Sequence, residues 1–161
     1  MKYLKYFEAR DLRRNYNIDN IIISYLDSDL SMKDDNEEEI EEFEDLTVYD
    51  INDGDREKLK EEIEWFIEKA GASINLMTDD QLGYDLYLTR NGHGAGFWDR
   101  GYPEEDDELL CKLSDVLGET YLYKGDDGKL YYNSSDKYKE WDFEKYKEEL
   151  RLKKDIKKYN I

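Results

Sequence analysis

A single cysteine, Cys111, stands in this chain of 161 residues. It falls inside a helical pattern, so the sequence offers no disulfide framework and no thiolate metal cluster. His93 is the only histidine, and one His with one Cys does not build an ordinary zinc site without carboxylates. No apolar run approaches the roughly 20 residues that a membrane span needs. The opening residues, Met1-Lys2-Tyr3-Leu4-Lys5, lack an apolar signal region and a small-residue cleavage site, which predicts a cytoplasmic location. Hydrophobic residues are also scarce, at 39 % against 41 % charged, so the core must be modest for the length. Fifteen tyrosines suit such a core, because each buries a ring and keeps a hydroxyl wet.

What the sequence has in excess is negative charge. The formal net charge is −18, and residues 27–68 hold 19 Asp/Glu against 4 Lys/Arg. The ends differ: residues 1–14 carry 5 basic and 2 acidic groups, and residues 137–161 carry 9 and 6. An acidic body between mildly basic ends is repelled by bulk nucleic acid and by anionic membrane. The partners expected are therefore proteins or ribonucleoproteins with a basic surface. The basic tail suits a helix C-terminus and can fold back on the acidic body.

Helical spacing recurs along the chain. Asn17 reads as an N-cap, followed by Ile18, Ile21, Ile22, Tyr25 and Leu26, which predicts a helix from about 18 to 29. Residues 31–38 read as a solvated loop, and a short acidic helix is expected through Ile40 and Phe43. Asn52-Asp53-Gly54 reads as a turn, with Asp55 as cap of a helix whose stripe is Leu59, Ile63, Phe66, Ile67 and Ala70 and whose stop is Gly71. From Gly83 the period changes: Tyr84, Leu86 and Leu88 alternate with Asp85, Tyr87 and Thr89, the pattern of a half-buried strand. Asn91-Gly92 opens a turn from which Phe97 to Arg100 return as a second strand. Pro103 begins a helix with acidic residues 104–108 in its first turn and Leu109, Leu110, Leu113, Val116 and Leu117 on one face, ended by Gly118. A second hairpin follows from Thr120 to Tyr132, turning at Asp126-Asp127-Gly128. A helix from about 142 to 158, anchored by Phe143, Tyr146 and Leu150, closes the chain. The fold class expected is α+β: a small antiparallel sheet of two hairpins with helices packed on one face. The residues 1–161 form one domain, divided into an acidic helical half (1–71), a hairpin–helix–hairpin unit (83–133) and a basic helix (142–158).

Residues 83–101 hold five of the ten glycines, the only histidine and two arginines. Glycines 92 and 94 flank His93, which therefore projects from a turn tip. Arg90, Asn91, His93, Trp98, Asp99 and Arg100 form one candidate binding set, suited to an anion, a partner's carboxylate or a flat ring. Two readings stay open, since a hairpin needs glycines for its turn and an Arg–Asp pair also locks strands together.

The run Leu88-Thr89-Arg90-Asn91-Gly92-His93-Gly94-Ala95-Gly96-Phe97-Trp98-Asp99-Arg100-Gly101 resembles the signature of a family of small, largely uncharacterised tailed-phage proteins. Gly118 to Tyr131 is similar to the second hairpin of that family, and Asn15-Tyr16-Asn17-Ile18-Asp19 to a motif near its N-terminus. The resemblance covers about half the chain; the acidic stretch at 34–64 and the basic C-terminal extension depart from it. It implies a phage or mobile-element origin, hence a host cytoplasm as location, and it brings no catalytic residue.

Cofactor chemistry finds little footing. A calcium loop with Gly54 sixth puts Tyr49 first and Ile51 third, neither a usable side-chain ligand. Gly92-x-Gly94-x-Gly96 lacks the spacing and the following helix of a phosphate-binding loop. No metal and no cofactor is expected. His93 with Asp99 fits a base and its orienter, but only Thr89 and tyrosine hydroxyls stand by as nucleophiles. The acidic run reads more sharply. Residues three or four apart on a helix lie about 5–6 Å from one another, so Glu37, Glu38, Glu41, Glu42 and Asp45, then Glu57, Glu61, Glu64 and Glu68, form ladders that imitate a nucleic-acid backbone. The simpler account is a solvated face that keeps the protein soluble. The function expected is a phage-encoded, non-enzymatic inhibitor of a host nucleic-acid-handling defence complex, of anti-CRISPR or anti-restriction type. The alternatives are a small enzyme or ligand-binding module centred on His93, and a virion accessory protein.

Overall fold

Asn17 opens the first helix as expected: its side-chain oxygen accepts a hydrogen bond from the Asn20 N–H at 3.2 Å, satisfying a donor that the first turn leaves orphaned. The computed structural model describes residues 15–34 and 41–159. Helix α1 spans Ile18–Asp34 and buries Ile21, Ile22, Tyr25 and Leu26. It runs past the expected end, so residues 31–34 are helix and not the solvated loop. The apolar side continues there through Leu30, and Lys33 is drawn in by Asp29, one turn back, at 3.2 Å; its ammonium lies 4.8 Å from the centre of the Phe43 ring. Residues 41–43 are helical, and the rest of the acidic helix expected there lies outside the described residues.

Helix α2 covers Asp53–Ala70. Its cap is Asn52, whose side chain accepts from the Asp55 N–H at 3.0 Å. This corrects the expected cap at Asp55, which sits in the first turn instead and has another task. Its Oδ2 accepts the Tyr132 N–H at 2.9 Å and the Asn52 amide at 2.7 Å. Leu59, Ile63, Phe66 and Ala70 are buried, and Gly71 ends the helix.

The largest departure from expectation is Asp79–Arg90, which is helix α3 and not a strand. Thr78 caps it, accepting from the Gln81 N–H at 3.1 Å. The alternation of Tyr84, Leu86 and Leu88 misleads because this helix is buried on nearly every side: Asp85, Leu86, Tyr87 and Leu88 are consecutive and all buried. A fully enclosed helix shows neither a period of two nor a clean stripe. Gly83 marks the crossing of α3 and α1. A Cβ there would stand 2.5 Å from the Ile21 carbonyl oxygen and 2.8 Å from the Ser24 Cβ, so only glycine permits this approach.

Phe97–Asp99 is likewise a short 3-10 turn in place of the second strand. Its Phe97 ring stacks on Phe66 of α2 at 5.6 Å between centroids. Helix α4 spans Glu104–Leu117 after Pro103 and ends at Gly118, as the sequence predicts. Strands β1 (Leu122–Lys124) and β2 (Leu130–Tyr132) pair antiparallel, with Tyr123 opposite Tyr131. The fold is therefore α+β, mostly helical, and one hairpin forms the two-stranded sheet of the described residues. Helix α5, Phe143–Tyr159, buries no residue. It is held through an aromatic group in which Trp65 of α2 meets Tyr138 and Trp141 edge-on, at 5.2 and 6.0 Å, and through the Lys154–Glu105 ion pair at 2.8 Å.

Asp55 links the start of α2 to β2 and makes the fold acid-sensitive. Burial by itself raises its pKa, but the hydrogen bonds from Asn52, Tyr132 and Lys58 outweigh that and hold the carboxyl below its ordinary 3.8. A lowered folded-state pKa stabilises above the unfolded value and is lost as pH falls through the folded one. Asp55→Asn is therefore expected to lower stability at pH 7 by about 1–2 kcal/mol. In urea unfolding, the gap between wild type and variant should close as pH drops below about 4. A gap unchanged between pH 7 and about pH 2 would contradict this role.

Candidate functional site

Glu62 interrupts the apolar stripe of α2, falling between Leu59 and Phe66, and is 1 % exposed. A buried carboxylate needs a cation and hydrogen bonds, and Arg90, the last residue of α3, supplies both. All five guanidinium donors find acceptors. Nη1 donates to Glu62 Oε2 at 2.6 Å and to the Tyr132 hydroxyl. Nη2 donates to Glu62 Oε1 and to the Leu117 carbonyl, both at 3.1 Å, and Nε to the Gly118 carbonyl. The Tyr132 and Ser134 hydroxyls in turn donate to the Glu62 carboxylate. The cation thus also caps the C-terminal carbonyls of α4, where the helix dipole is negative. Burial opposes the charge on Arg90, but the Tyr25, Tyr132 and Glu62 oxygens around it outweigh that and raise its pKa. Burial is also the chief reason the Tyr132 hydroxyl pKa stands well above its usual value.

The segment that follows α3 is tied down in the same manner. Asn91 is buried; its amide donates to the Tyr87 carbonyl at 3.1 Å and its oxygen accepts the Thr120 N–H at 2.9 Å. The His93 N–H donates to Leu88 at 3.0 Å, and the Phe97 N–H to the Thr89 hydroxyl, also at 3.0 Å. Gly96 packs so closely that a Cβ would lie 2.4 Å from that same hydroxyl oxygen. Asp99 accepts the Gly96 N–H at 3.1 Å. Arg100 grips the buried Asp85, with Nη2 to Oδ1 at 2.7 Å, and this bond is the main reason its pKa is raised. Four of the six residues in the glycine-rich candidate set, Arg90, Asn91, Asp99 and Arg100, are therefore committed to internal bonds. His93 and Trp98 differ. The His93 ring lies tilted against Tyr87 at 5.4 Å, and its Nε2 is out of contact with solvent and has no hydrogen-bond partner among the described residues. Trp98 is 51 % exposed.

Between this loop and α4 lies a cleft of about 430 Å³, with Arg90, His93, Trp98, Cys111, Asp115 and Glu119 in its lining. Cys111 and Asp115 also line a longer groove of about 680 Å³ between α4 and α5. Burial, and then Asp107, push the Cys111 thiol up, so at neutral pH it is a protonated, weak nucleophile. Among the described residues no group of three or more His, Cys, Asp or Glu is arranged to hold a metal ion.

Among the described residues Glu41 and Glu42 lie on the short helical turn 41–43, Asp45 in the turn after it and not on the expected helix, and Glu57, Glu61, Glu64 and Glu68 on α2. Glu37 and Glu38 lie outside the described residues. Glu41, Glu42 and Asp45 are exposed. Glu57, Glu61, Glu64 and Glu68 are exposed and share an arc of about 60° on α2, so the ladder expected there forms. It is not free of cations, however. Glu57 meets Lys60 at 3.7 Å, Glu61 meets Lys139 at 3.4 Å, and Glu68 meets Lys69 at 3.6 Å. Glu62, Asp85, Asp115 and Glu119 stand outside the residues that the sequence marks as candidates. Glu62 had a visible signal, an acid on the apolar side of a helical stripe; the other three had none.

Arg90→Met or Glu62→Leu alone leaves one buried charge without its partner, which costs about 3–5 kcal/mol. The double variant buries no charge and is expected to recover most of that loss, as read from urea midpoints. A single variant that loses under about 1 kcal/mol would show that the pair is not organising the core.

No family model matches the chain, and no curated protein and no solved structure matches it either.

Proposed function

We propose that the protein is a non-enzymatic binding protein that occupies the cationic, nucleic-acid-binding face of a host defence complex, of the anti-CRISPR or anti-restriction kind. The observation that carries this reading is the outward row of carboxylates on α2. Its four glutamates span about 17 Å of helix axis, one charge per roughly 5–6 Å, against one per about 3.4 Å along a single DNA strand. The three lysines beside them dilute that charge. Exposed pairs of this kind contribute at most about 1 kcal/mol each, so a denser cationic surface displaces the lysines readily. The resemblance of residues 88–101 to tailed-phage proteins agrees with an anti-defence role. The alternative centred on His93 has less behind it, because the His93 ring packs against Tyr87 with its Nε2 out of contact with solvent.

The test is capture of a partner from host lysate followed by competition. The partner is expected to bind DNA or RNA, and added oligonucleotide should release it from the protein. Capture should weaken at least tenfold as salt rises from about 50 to 500 mM, and by a similar factor in Glu57→Lys/Glu61→Lys/Glu64→Lys. A partner that holds oligonucleotide and this protein together, or that ignores the charge reversal, would overturn the proposal.

A further inference from the structure

We infer that two copies of this chain associate by exchanging the ends of their α5 helices. In each copy the outward stripe of Leu152, Ile156 and Tyr159 lies in the groove between α1 and α3 of the other. The inference goes beyond the binding role proposed above and uses none of the α2 glutamates.

Helix α5 has two sides of different use. Phe143, Tyr146 and Lys154 mark the side turned to the body. The Lys69 ammonium lies 5.3 Å from the centre of the Phe143 ring, that of Lys112 lies 6.0 Å from the Tyr146 ring, and Lys154 meets Glu105 at 2.8 Å. At about 100° per residue, Leu152, Ile156 and Tyr159 fall within an arc of about 60° on the far side. They are 48, 59 and 78 % exposed, and a contiguous exposed apolar stripe marks an interaction site. Because it faces away from its own body, its occupant comes from another molecule. Charge narrows the choice. Residues 151–159 carry five basic groups and one acidic, in a chain whose total is −18. Two such helix ends repel each other, whereas the acidic body of a second copy attracts one.

On that body the groove between α1 and α3, of about 790 Å³, matches the stripe in chemistry and length. Ile23, Met32 and Tyr84 give it an apolar lining, with Asp27 and Asp80 beside them. Its one cation, Arg100, is bonded to Asp85 at 2.7 Å and lies 6.0 Å from the centre of the Tyr84 ring. The groove between α4 and α5, by contrast, has three lysines in its lining and suits a basic helix less. From Ile23 to Met32 the α1 wall runs about 14 Å, and the stripe on α5 about 10 Å. The walls are already fixed: the Ser24 hydroxyl donates to the Asp80 carbonyl at 2.6 Å, and Gly83 brings α1 and α3 into close contact. Little order therefore has to be gained on docking. If each copy gives its helix end to the other, the contact is made twice about a two-fold axis and the assembly closes.

Sedimentation velocity of the full chain tests this. The wild type is expected to be dimeric at about 100 μM and to dissociate on dilution. Leu152→Ser/Ile156→Ser and, separately, Tyr84→Ser should each weaken the dimer about tenfold. Charge reversal separates docking from misfolding. Asp27→Lys/Asp80→Lys in one protein and Lys153→Glu/Lys158→Glu in another should each be monomeric, and an equal mixture of the two should regain the dimer. Glu57→Lys/Glu61→Lys/Glu64→Lys should dimerise as the wild type does, so failure of the α2 reading is told apart from failure here. A wild type that stays monomeric at about 100 μM, stripe variants that dimerise normally, or a mixture that stays monomeric would overturn the inference. So would a monomer that binds phosphatidylglycerol vesicles through Leu152 and Ile156, since the stripe would then be a membrane-facing one.

Discussion

The carboxylate of Glu62 and the guanidinium of Arg90 meet where α2, α3, the end of α4 and β2 converge. Taking two charges out of water is expensive, and their attraction offsets the cost only when the remaining donors and acceptors are also filled. Here they are filled without remainder, and the partners come from separate parts of the chain. The consequence is geometric. Arg90 fixes where α3 stops, which carbonyls of α4 it faces, and on which side Tyr132 enters the core. A thin apolar core leaves much of that specification to polar contacts, and Asp55 and Asp85 repeat the device at smaller scale. Each is a buried carboxylate tying a helix to a distant backbone amide or arginine.

This arrangement explains what the sequence discloses and what it hides. Elements with one wet face were legible. Leu59 to Ala70 with Gly71, Leu109 to Leu117 with Gly118, and the turn at 126–128 all lie where periodicity and turn chemistry put them. Helix α3 was not, because burial all round erases the contrast on which periodicity depends. Its Gly83, which looks like the start of a strand, is the point where α1 crosses. The glycine-rich stretch reads locally as a hairpin turn, yet its shape is set by Phe66, Thr89 and Thr120, residues from other elements. The composition of the candidate site was thus visible, and so was Glu62 as an acid on an apolar stripe, whereas its pairing with Arg90, and that of Asp85 with Arg100, joins segments that no local pattern connects.

Charge follows the same logic. A total of −18 invites the view that acidity itself is the functional feature, but much of the exposed charge on α2 and α5 is paired within the molecule. Exposed carboxylates with no cation within ion-pair distance among the described residues are spread widely, with Glu41, Glu64, Asp80, Asp115 and Glu119 among them, so what distinguishes the loop after α3 is that its own arginines are turned inward. The buried pair takes Arg90 inward, and the bonds of Thr89, Asn91 and Asp99 hold the loop that carries Trp98 in place.

Amide hydrogen exchange of the wild-type protein across residues 91–100 measures that claim most directly. A loop held by internal bonds predicts slow exchange at the His93, Gly96 and Phe97 N–H groups, whose acceptors are Leu88, Asp99 and Thr89, with protection of about a hundredfold or more over an open chain. Exchange at those three amides as fast as in an unfolded peptide would contradict it, and with it the picture of a loop fixed by internal bonds.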